Sequence, residues 1–214
     1  MEGEIYPLFS KPVYAKVIDI DVDKIIPLIE EYKFNCIRKG AGEELSDKDS
    51  WKFKSSGFKS TFDSSASTYK YVLKNKKMKF LKDKLMEEFY LYSSGVLKYT
   101  NKFNITTSWF TKCEGGQQSG FHNHNNCMLS GVLYLTTDEN CGNIKFQNFD
   151  DKRYLIHKEE YNVFNSMEYS FKPSEGLLLI FPSEMWHRIE ENKSDITRHS
   201  LAFNLTPVGL IGYD

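Results

Sequence analysis

The sequence predicts a mainly β fold with flanking helices (α+β), and two observations carry this prediction. From residue 98 onward, short apolar runs rich in β-branched and aromatic residues alternate with turn residues. Ahead of residue 98, two segments repeat apolar residues at three- and four-residue steps, as one face of a helix does. We expect one domain at 1–214, in which a helical and loop segment at 1–97 supports a β core at 98–214.

Two helices are predicted in the first half of the chain. The first covers residues 23–33 and can be capped by Asp21 or Asp23. The second covers residues 75–95, with Gly95 as a plausible terminator. Apolar residues that recur on one face of this second helix predict that it packs on a sheet: Met78, Leu81, Leu85, Phe89 and Tyr92.

Six apolar runs are predicted as strands. They lie at residues 13–18, 105–110, 128–135, 143–149, 177–181 and 199–205. Many short strands separated by turns are typical of a sandwich or a barrel. Two long polar segments, 38–68 and 150–170, are candidate lids over a site, and the first one is expected to contain short strands near Trp51–Phe53 and Thr61–Phe62.

Composition narrows the function classes. The chain has 28 basic and 29 acidic residues, and this balance argues against nucleic acid as a partner. The four cysteines form no CxxC pair, so no disulfide is implied. The opening MEGEIYPLFSKPVY lacks the features of a signal peptide, and no run of 18 apolar residues exists. We therefore expect a cytoplasmic protein without a membrane segment, and the sequence leaves homo-oligomers open.

Three histidines form the most informative pattern. His122 and His124 stand two residues apart, so on an extended strand both imidazoles point to the same side. His187 follows a second apolar run. Each histidine alone is more often structural, but three imidazoles that converge from two strands suit a divalent transition metal and leave positions open for a substrate.

An arginine follows on the next predicted strand. Arg198 and Ser200 share one side of this strand, and His199 faces the other side. A buried guanidinium is costly unless an anion meets it, and its planar shape suits a carboxylate, to which Ser200 can donate a further hydrogen bond. Tyr134 is an even number of residues from His122 and His124, so on an extended strand its side chain points to the same side and can reach the same anion. A surface salt bridge is the alternative for Arg198.

Three stretches carry a resemblance to a known family. HNHNNCMLSGVLYL, GLLLIFPSEMWHRIEENKSDITRHSLAFN and the opening PLFSKPVY together resemble the iron(II)- and 2-oxoglutarate-dependent dioxygenases. The likeness is to a bacterial and phage branch with a Leu-Phe-x-x-Pro opening, an H-x-H-P core followed by SGV-Tyr-Tyr-Leu, and Phe-Pro-Ser before the distal histidine. It covers most of residues 6–210 and is strongest over 120–206.

The resemblance implies a fold, cofactors and roles. The fold would be a double-stranded β-helix, or jelly-roll, with Fe(II) bound in it, 2-oxoglutarate as co-substrate and ascorbate to maintain Fe(II). The metal ligands would be His122, His124 and His187. The distal carboxylate of 2-oxoglutarate would meet Arg198, Ser200 and Tyr134.

One departure from the family pattern concerns the middle ligand. His124 stands where the superfamily usually has Asp or Glu, so the site carries one negative charge fewer and the native metal stays open. An alternative register pairs His124 with Asn126 and leaves His122 beside the metal site. Asn125 stands where the near relatives have Pro.

The resemblance implies a hydroxylase of a small-molecule or peptidyl substrate, which couples hydroxylation to oxidative decarboxylation of 2-oxoglutarate to succinate. Two other functional classes of protein remain possible from the sequence. One is a cupin-like three-histidine metalloprotein that acts without 2-oxoglutarate, against which Arg198 and Ser200 argue. The other is a non-catalytic jelly-roll with a binding or structural role. The fold alone does not choose among them.

Overall fold

The computed structural model describes residues 10–36, 64–149, 157, 159–162 and 164–209. Within these residues the strands form two sheets, and every strand pairing is antiparallel. This is the predicted mainly β fold with a jelly-roll core and flanking helices. No helix in the described part of the chain is long and apolar enough to cross a membrane.

The larger sheet has seven strands. In chain order they are β1 (Tyr14–Val17), β2 (Phe34–Cys36), β3 (Ser65–Ser67), β4 (Lys102–Cys113), β6 (Leu129–Thr136), β9 (Leu177–Pro182) and β11 (Arg198–Val208). The smaller sheet has four: β5 (Ser119–His122), β7 (Ile144–Gln147), β8 (Glu168–Phe171) and β10 (Trp186–Ile189). The strand orders are β1-β9-β6-β11-β4-β3-β2 and β5-β10-β7-β8.

Two α-helices lie in the described part of the first half. Helix α1 (Val22–Ile29) begins after Asp21, whose carboxylate accepts a hydrogen bond from the Lys24 amide at 3.0 Å, as one of the two predicted caps should. Helix α2 (Lys79–Ser93) follows two short 3-10 turns, Val72–Lys74 and Lys76–Met78, so the predicted start at residue 75 was four residues early. At Gly95 an added Cβ would lie 2.2 Å from the Leu91 carbonyl oxygen, and this close approach favours glycine.

The main core lies between the helices and the larger sheet. All five apolar residues predicted for the inner face of α2 are buried in it. The sheet contributes the odd-numbered residues of its two central strands, Leu133, Leu135, Leu201, Phe203 and Leu205. Burial of this apolar surface stabilises the fold and holds the helices on one side of the larger sheet.

A second, smaller core lies between the sheets. The larger sheet contributes Val132 and Tyr134 from β6 and Leu179 and Phe181 from β9, and the smaller sheet contributes Ile144 and Phe146. Successive side chains of a strand point to opposite faces, so β6 places its odd residues against the helices and its even residues between the sheets.

Five short strands were not predicted from the sequence. β2, β3, β5, β8 and β10 have three or four residues each and lack a long apolar run. Two of them correct the loop assignments, since β3 lies within 38–68 and β8 begins within 150–170. The strands predicted near Trp51–Phe53 and Thr61–Phe62, and most of the two candidate lids, lie outside the described residues. The division of the domain into a supporting segment at 1–97 and a β core at 98–214 stays a prediction.

Candidate metal centre

A cavity of about 430 Å³ lies between the two sheets. The larger sheet lines it with β3, β4 and β11, and the smaller sheet with the ends of β5, β7 and β10. All three predicted histidines reach this cavity. Both sheets therefore contribute to one site, as expected for the inside of a jelly-roll.

The three imidazoles form a compact triangle. The ring centroids of His122 and His187 are 4.3 Å apart, those of His124 and His187 are 5.2 Å apart, and those of His122 and His124 are 5.4 Å apart. One ligating atom from each residue lies within 4.8 Å of the others. Among the described residues no cysteine, aspartate or glutamate joins this group.

The backbone brings the histidines together in a way that differs from the prediction. His122 is the last residue of β5, and His187 is its direct partner on β10. His124 lies beyond the end of β5, so the two histidines do not share one regular strand. Its amide instead donates to the Ser183 carbonyl oxygen at 2.9 Å, which turns the segment back towards the cavity.

Hydrogen bonds fix the ring orientation of two of these histidines. The Nδ1 atom of His122 lies 2.9 Å from the Gly120 carbonyl oxygen, and that of His187 lies 2.9 Å from the Met185 carbonyl oxygen. A carbonyl oxygen only accepts, so Nδ1 carries the proton in each ring and Nε2 keeps its lone pair. Both Nε2 atoms are therefore available to a metal.

His124 is held by side chains of the larger sheet. Its Nδ1 lies 2.8 Å from Asn204 Oδ1 and 2.9 Å from Ser130 Oγ. The Asn204 amide nitrogen donates to Thr107 Oγ1 at 3.0 Å, and Ser130 donates to Asn204 Oδ1 at 2.9 Å, which fixes the amide orientation. Asn204 Oδ1 therefore accepts from His124, whose Nε2 also stays free.

Burial keeps the imidazoles of His124 and His187 neutral. It lowers the pKa of His187 to about 3, with a further contribution from the neighbouring His122. Burial also lowers the pKa of His124, against an opposing hydrogen bond from Asn204. Neutral imidazole is the form that ligates a metal, so the site is ready for a cation near neutral pH.

The alternative register with Asn126 finds less support in the geometry. Asn126 is exposed and has a φ of 65°, in the left-handed region. It does not line the cavity, whereas His122, His124 and Asn125 do. The described residues thus bring together the three histidines and leave Asn126 outside.

Arg198 and Ser200 also lie where the sequence predicts. Arg198 is only 4% exposed and lines the cavity, so it is not a surface salt bridge. Its Nη1 donates to the carbonyl oxygens of Cys141 at 2.7 Å and Gly142 at 3.1 Å, and it forms no ion pair with any described residue. Ser200 lines the same cavity and shares a hydrogen bond with Thr111.

Tyr134 occupies a less open position than predicted. It is the direct partner of Ser200 across β6 and β11, but it packs in the core between the sheets and does not line the cavity. Its hydroxyl is buried with no hydrogen-bond partner among the described residues, and burial raises its pKa. An unpartnered buried hydroxyl is costly, and this one lies near enough to Arg198 to be influenced by its charge.

The remaining candidates lie outside the site. His157 is exposed, and His199 does not line the cavity, which agrees with its predicted opposite face. Trp186, which precedes His187 in the sequence, packs against Phe149 at the edge of a separate hollow. Asn204 and Ser130 were not predicted as site residues, because only the position of His124 shows that they hold its ring.

Comparison with known proteins matches part of the chain to a family. A family model described as "Putative 2OG-Fe(II) oxygenase" matches residues 107–204, a range that contains all six predicted site residues. The resemblance predicted from the sequence is thereby confirmed at the level of the family. A search of curated proteins gives no match.

Solved structures show the same fold. A prolyl-4-hydroxylase from Pseudomonas putida is 16% identical with a TM-score of 0.55, over 94% of this chain and 96% of that one. A 2OG-Fe(II) oxygenase family oxidoreductase from Burkholderia pseudomallei is 10% identical with a TM-score of 0.55, over 86% and 77%. The viral collagen prolyl hydroxylase of Paramecium Bursaria Chlorella virus-1, in a truncated form, is 14% identical with a TM-score of 0.50, over 98% and 99%.

Proposed function

We propose that this protein, which the match over residues 107–204 assigns to the 2OG-Fe(II) oxygenase family, is a hydroxylase that uses Fe(II) and 2-oxoglutarate. Its substrate is a small molecule or a peptidyl group, and 2-oxoglutarate is decarboxylated to succinate. One observation carries the proposal. Three imidazoles with free Nε2 atoms converge in a cavity that also contains a buried arginine without a counterion among the described residues.

The donor set suits the proposed metal. Imidazole nitrogen binds Fe(II), as well as Zn(II), Ni(II) and Cu(II), and three such ligands leave positions open for other molecules. When bound, the iron would supply the redox chemistry that activates molecular oxygen. The residues of the chain orient the rings: the Gly120 and Met185 carbonyl oxygens, together with Asn204, hold the three Nδ1 atoms. With His124 instead of a carboxylate, the native metal has to be found by experiment.

Arg198 is the proposed partner of 2-oxoglutarate. Its contacts with Cys141 and Gly142 use Nη1, and the described residues offer no further acceptor to its other nitrogens. A guanidinium binds a carboxylate through two parallel hydrogen bonds. In this proposal Ser200 donates to the same carboxylate, and the buried hydroxyl of Tyr134 gains a partner.

Binding of 2-oxoglutarate gives the first test. Purified protein with Mn(II) should unfold at a higher temperature when 2-oxoglutarate is added, and with Fe(II) and ascorbate it should form succinate. Arg198→Ala should weaken 2-oxoglutarate binding and leave metal binding intact. Arg188→Ala is the matched control, because Arg188 does not line the cavity. Metal binding without any effect of 2-oxoglutarate would favour a three-histidine metalloprotein of another class.

The ligand set has its own test, which is metal content. His124→Ala and His187→Ala should each lose most of the bound metal, because each removes one of three ligands. Asn126→Ala and His157→Ala should bind metal like the parent protein. Loss of metal in Asn126→Ala with retention in His122→Ala would support the alternative register, and absence of metal from the parent would support a non-catalytic jelly-roll.

A further inference from the structure

The charged side chains that line the described part of the cavity are all of one sign. Among the described residues that line it, only Lys70 and Arg198 carry a full charge, and both are positive. No aspartate or glutamate of the described chain lines it. The other lining side chains are neutral: hydroxyls and amides, apolar groups and the three histidines.

Lys70 is set apart from the proposed 2-oxoglutarate position. It lies two residues before the 3-10 turn that begins at Val72, and its carbonyl oxygen accepts a hydrogen bond from the Ser108 amide at 2.8 Å, which holds this segment beside β4. Its Nζ lies 5.4 Å from the centre of the Trp109 ring. The side chain is half-buried, and it forms no ion pair with any described residue. Burial lowers the pKa of Lys70, and no described carboxylate offsets that cost.

Trp109 connects Lys70 to the metal centre. Its ring centroid is 5.8 Å from that of His124, and it lines the cavity. Beside it on β11 stands Ala202, a small residue that lines the cavity as well. An aromatic surface thus extends from the histidines to the ammonium group, and a molecule lying on it can contact both.

The charges do not balance when the proposed cosubstrate is bound. The two carboxylates of 2-oxoglutarate offset the divalent metal, and neutral histidines add no negative charge where a carboxylate ligand would. Lys70 and Arg198 then leave the described lining of the cavity net positive. A desolvated cation in such a site is stabilised by an anionic ligand, since opposite charges attract more strongly away from water.

We infer that the substrate is a small organic acid whose carboxylate or phosphate binds Lys70 while its apolar part lies on Trp109. This inference rests on the proposed function and assigns its substrate class. The cavity of about 430 Å³ fits this reading, because cavities of a few hundred Å³ hold small ligands. It accommodates 2-oxoglutarate and a molecule of similar size.

Paired probes test the inference. Isothermal titration of the full-length protein with Mn(II) and saturating 2-oxoglutarate compares phenylacetate with phenylacetamide, benzoate with benzamide, and phenyl phosphate with phenol. At least one acid should bind about tenfold more tightly than its neutral partner, as expected for a hydrogen bond to a charged group. The carboxylate and phosphate pairs separate the two kinds of acid.

Variants assign the preference to one side chain. Lys70→Met should abolish the difference between acid and neutral probe, and Lys70→Arg should retain it. Lys74→Met is the matched control, since Lys74 lies over Tyr71 and does not line the cavity. No preference for any acid, lack of binding by every acid, or a preference that persists in Lys70→Met would overturn the inference.

Failure of the proposed function is detected separately. Binding of 2-oxoglutarate is titrated first, in the absence of probes. If it does not bind, the proposed function fails, and the probe pairs are titrated with Mn(II) alone. The preference for acid must then disappear in Lys70→Met and persist in Arg198→Met. The opposite result would place the acid at Arg198 and overturn the role of Lys70.

Discussion

His122 and His187 stand directly opposite each other on β5 and β10, and their ring centroids are 4.3 Å apart. The smaller sheet thus supplies two of the three imidazoles from one cross-strand pair, whose side chains lie close by geometry. The third, His124, is held by Ser130 and Asn204 of the larger sheet. A metal bound to all three would link the two sheets.

Replacement of Asn204 tests the support of His124. Asn204→Ala removes the acceptor from Nδ1 of His124, so the ring loses its fixed orientation. We expect metal affinity to fall about 10- to 100-fold, as for other residues that orient a metal ligand. Titration with Mn(II) measures the change. Asn125→Ala is the control, and an equal loss in both variants would contradict a specific role for Asn204.

The buried histidines predict a pH dependence of stability in the metal-free protein. Burial lowers the pKa of His187 to about 3, whereas an unfolded histidine titrates near 6.5. Between these values the unfolded chain binds more protons, so the free energy of unfolding falls as the pH drops below about 6.5, by up to about 1.4 kcal/mol per pH unit. The contribution of His187 to the free energy of unfolding is fully present above about pH 6.5.

Urea unfolding between about pH 5 and 7 checks this prediction, because most carboxylates are still ionised there. His187→Gln should reduce the slope of unfolding free energy against pH. His157→Gln, which alters an exposed histidine, should not. An unchanged slope in His187→Gln would show that this residue is already protonated or exposed in the folded metal-free state.

Gly131 and Phe203 are predicted to be coupled. They are direct partners on β6 and β11, and a Cβ added to Gly131 would lie 2.3 Å from the Phe203 ring. Gly131→Ala should therefore destabilise the protein by about 1–3 kcal/mol through overpacking. Phe203→Leu in the same chain should recover part of this loss, and a double-mutant cycle by urea unfolding measures the coupling. Strict additivity would argue against the contact.

A polar cluster joins β1 to helix α2. Glu88 accepts hydrogen bonds from Tyr14 at 2.7 Å and from Lys16 at 2.9 Å. Burial acts to raise the pKa of Glu88, but these bonds outweigh it and keep the pKa below its usual value. Glu88 therefore contributes to the free energy of unfolding above the pKa that its carboxyl has in the unfolded chain. This contribution is lost as the pH falls through the lower pKa of the folded protein. Burial, with Glu88, also raises the pKa of Tyr14 to about 12.

Tyr14→Phe tests this cluster. Loss of a hydrogen bond to a charged group should lower the free energy of unfolding by about 1.5–3 kcal/mol. Metal affinity should not change, because Tyr14 packs on the helix side of the larger sheet. Tyr69→Phe serves as the control, since Tyr69 is largely exposed. A fall in metal affinity would show that the two faces of the sheet are linked.

Long, periodic segments were predictable from the sequence because local pattern determines them. The burial of the five apolar residues predicted to share one helix face, and the alternation of Arg198 and Ser200 with His199, follow from the helical and strand periods alone. Six of the eleven strands lie where long apolar runs predict them. β4 and β11 extend beyond those runs, since they pair with each other over almost their whole length.

The remaining features depend on contacts between distant parts of the chain. β5 and β10 are short, and they are strands because β10 pairs with β5 on one side and with β7 on the other. The roles of Ser130 and Asn204 depend on where the segment after β5 turns. Tyr134 had the predicted parity, yet it packs into the core between the sheets because parity fixes the side of a strand and not the depth in a cavity.

The alternation along β6 and β11 has a consequence for how this protein can diversify. Residues that hold the helices and residues that face the cavity occupy the same strands but opposite faces. Exchanges at cavity positions such as Ala202 can therefore alter specificity at little cost to the main core. A single-residue insertion would turn the following side chains of the strand to the opposite face of the sheet, and it would disrupt the main core and the cavity together. Evolution of new specificity should proceed here by substitution and avoid changes of length.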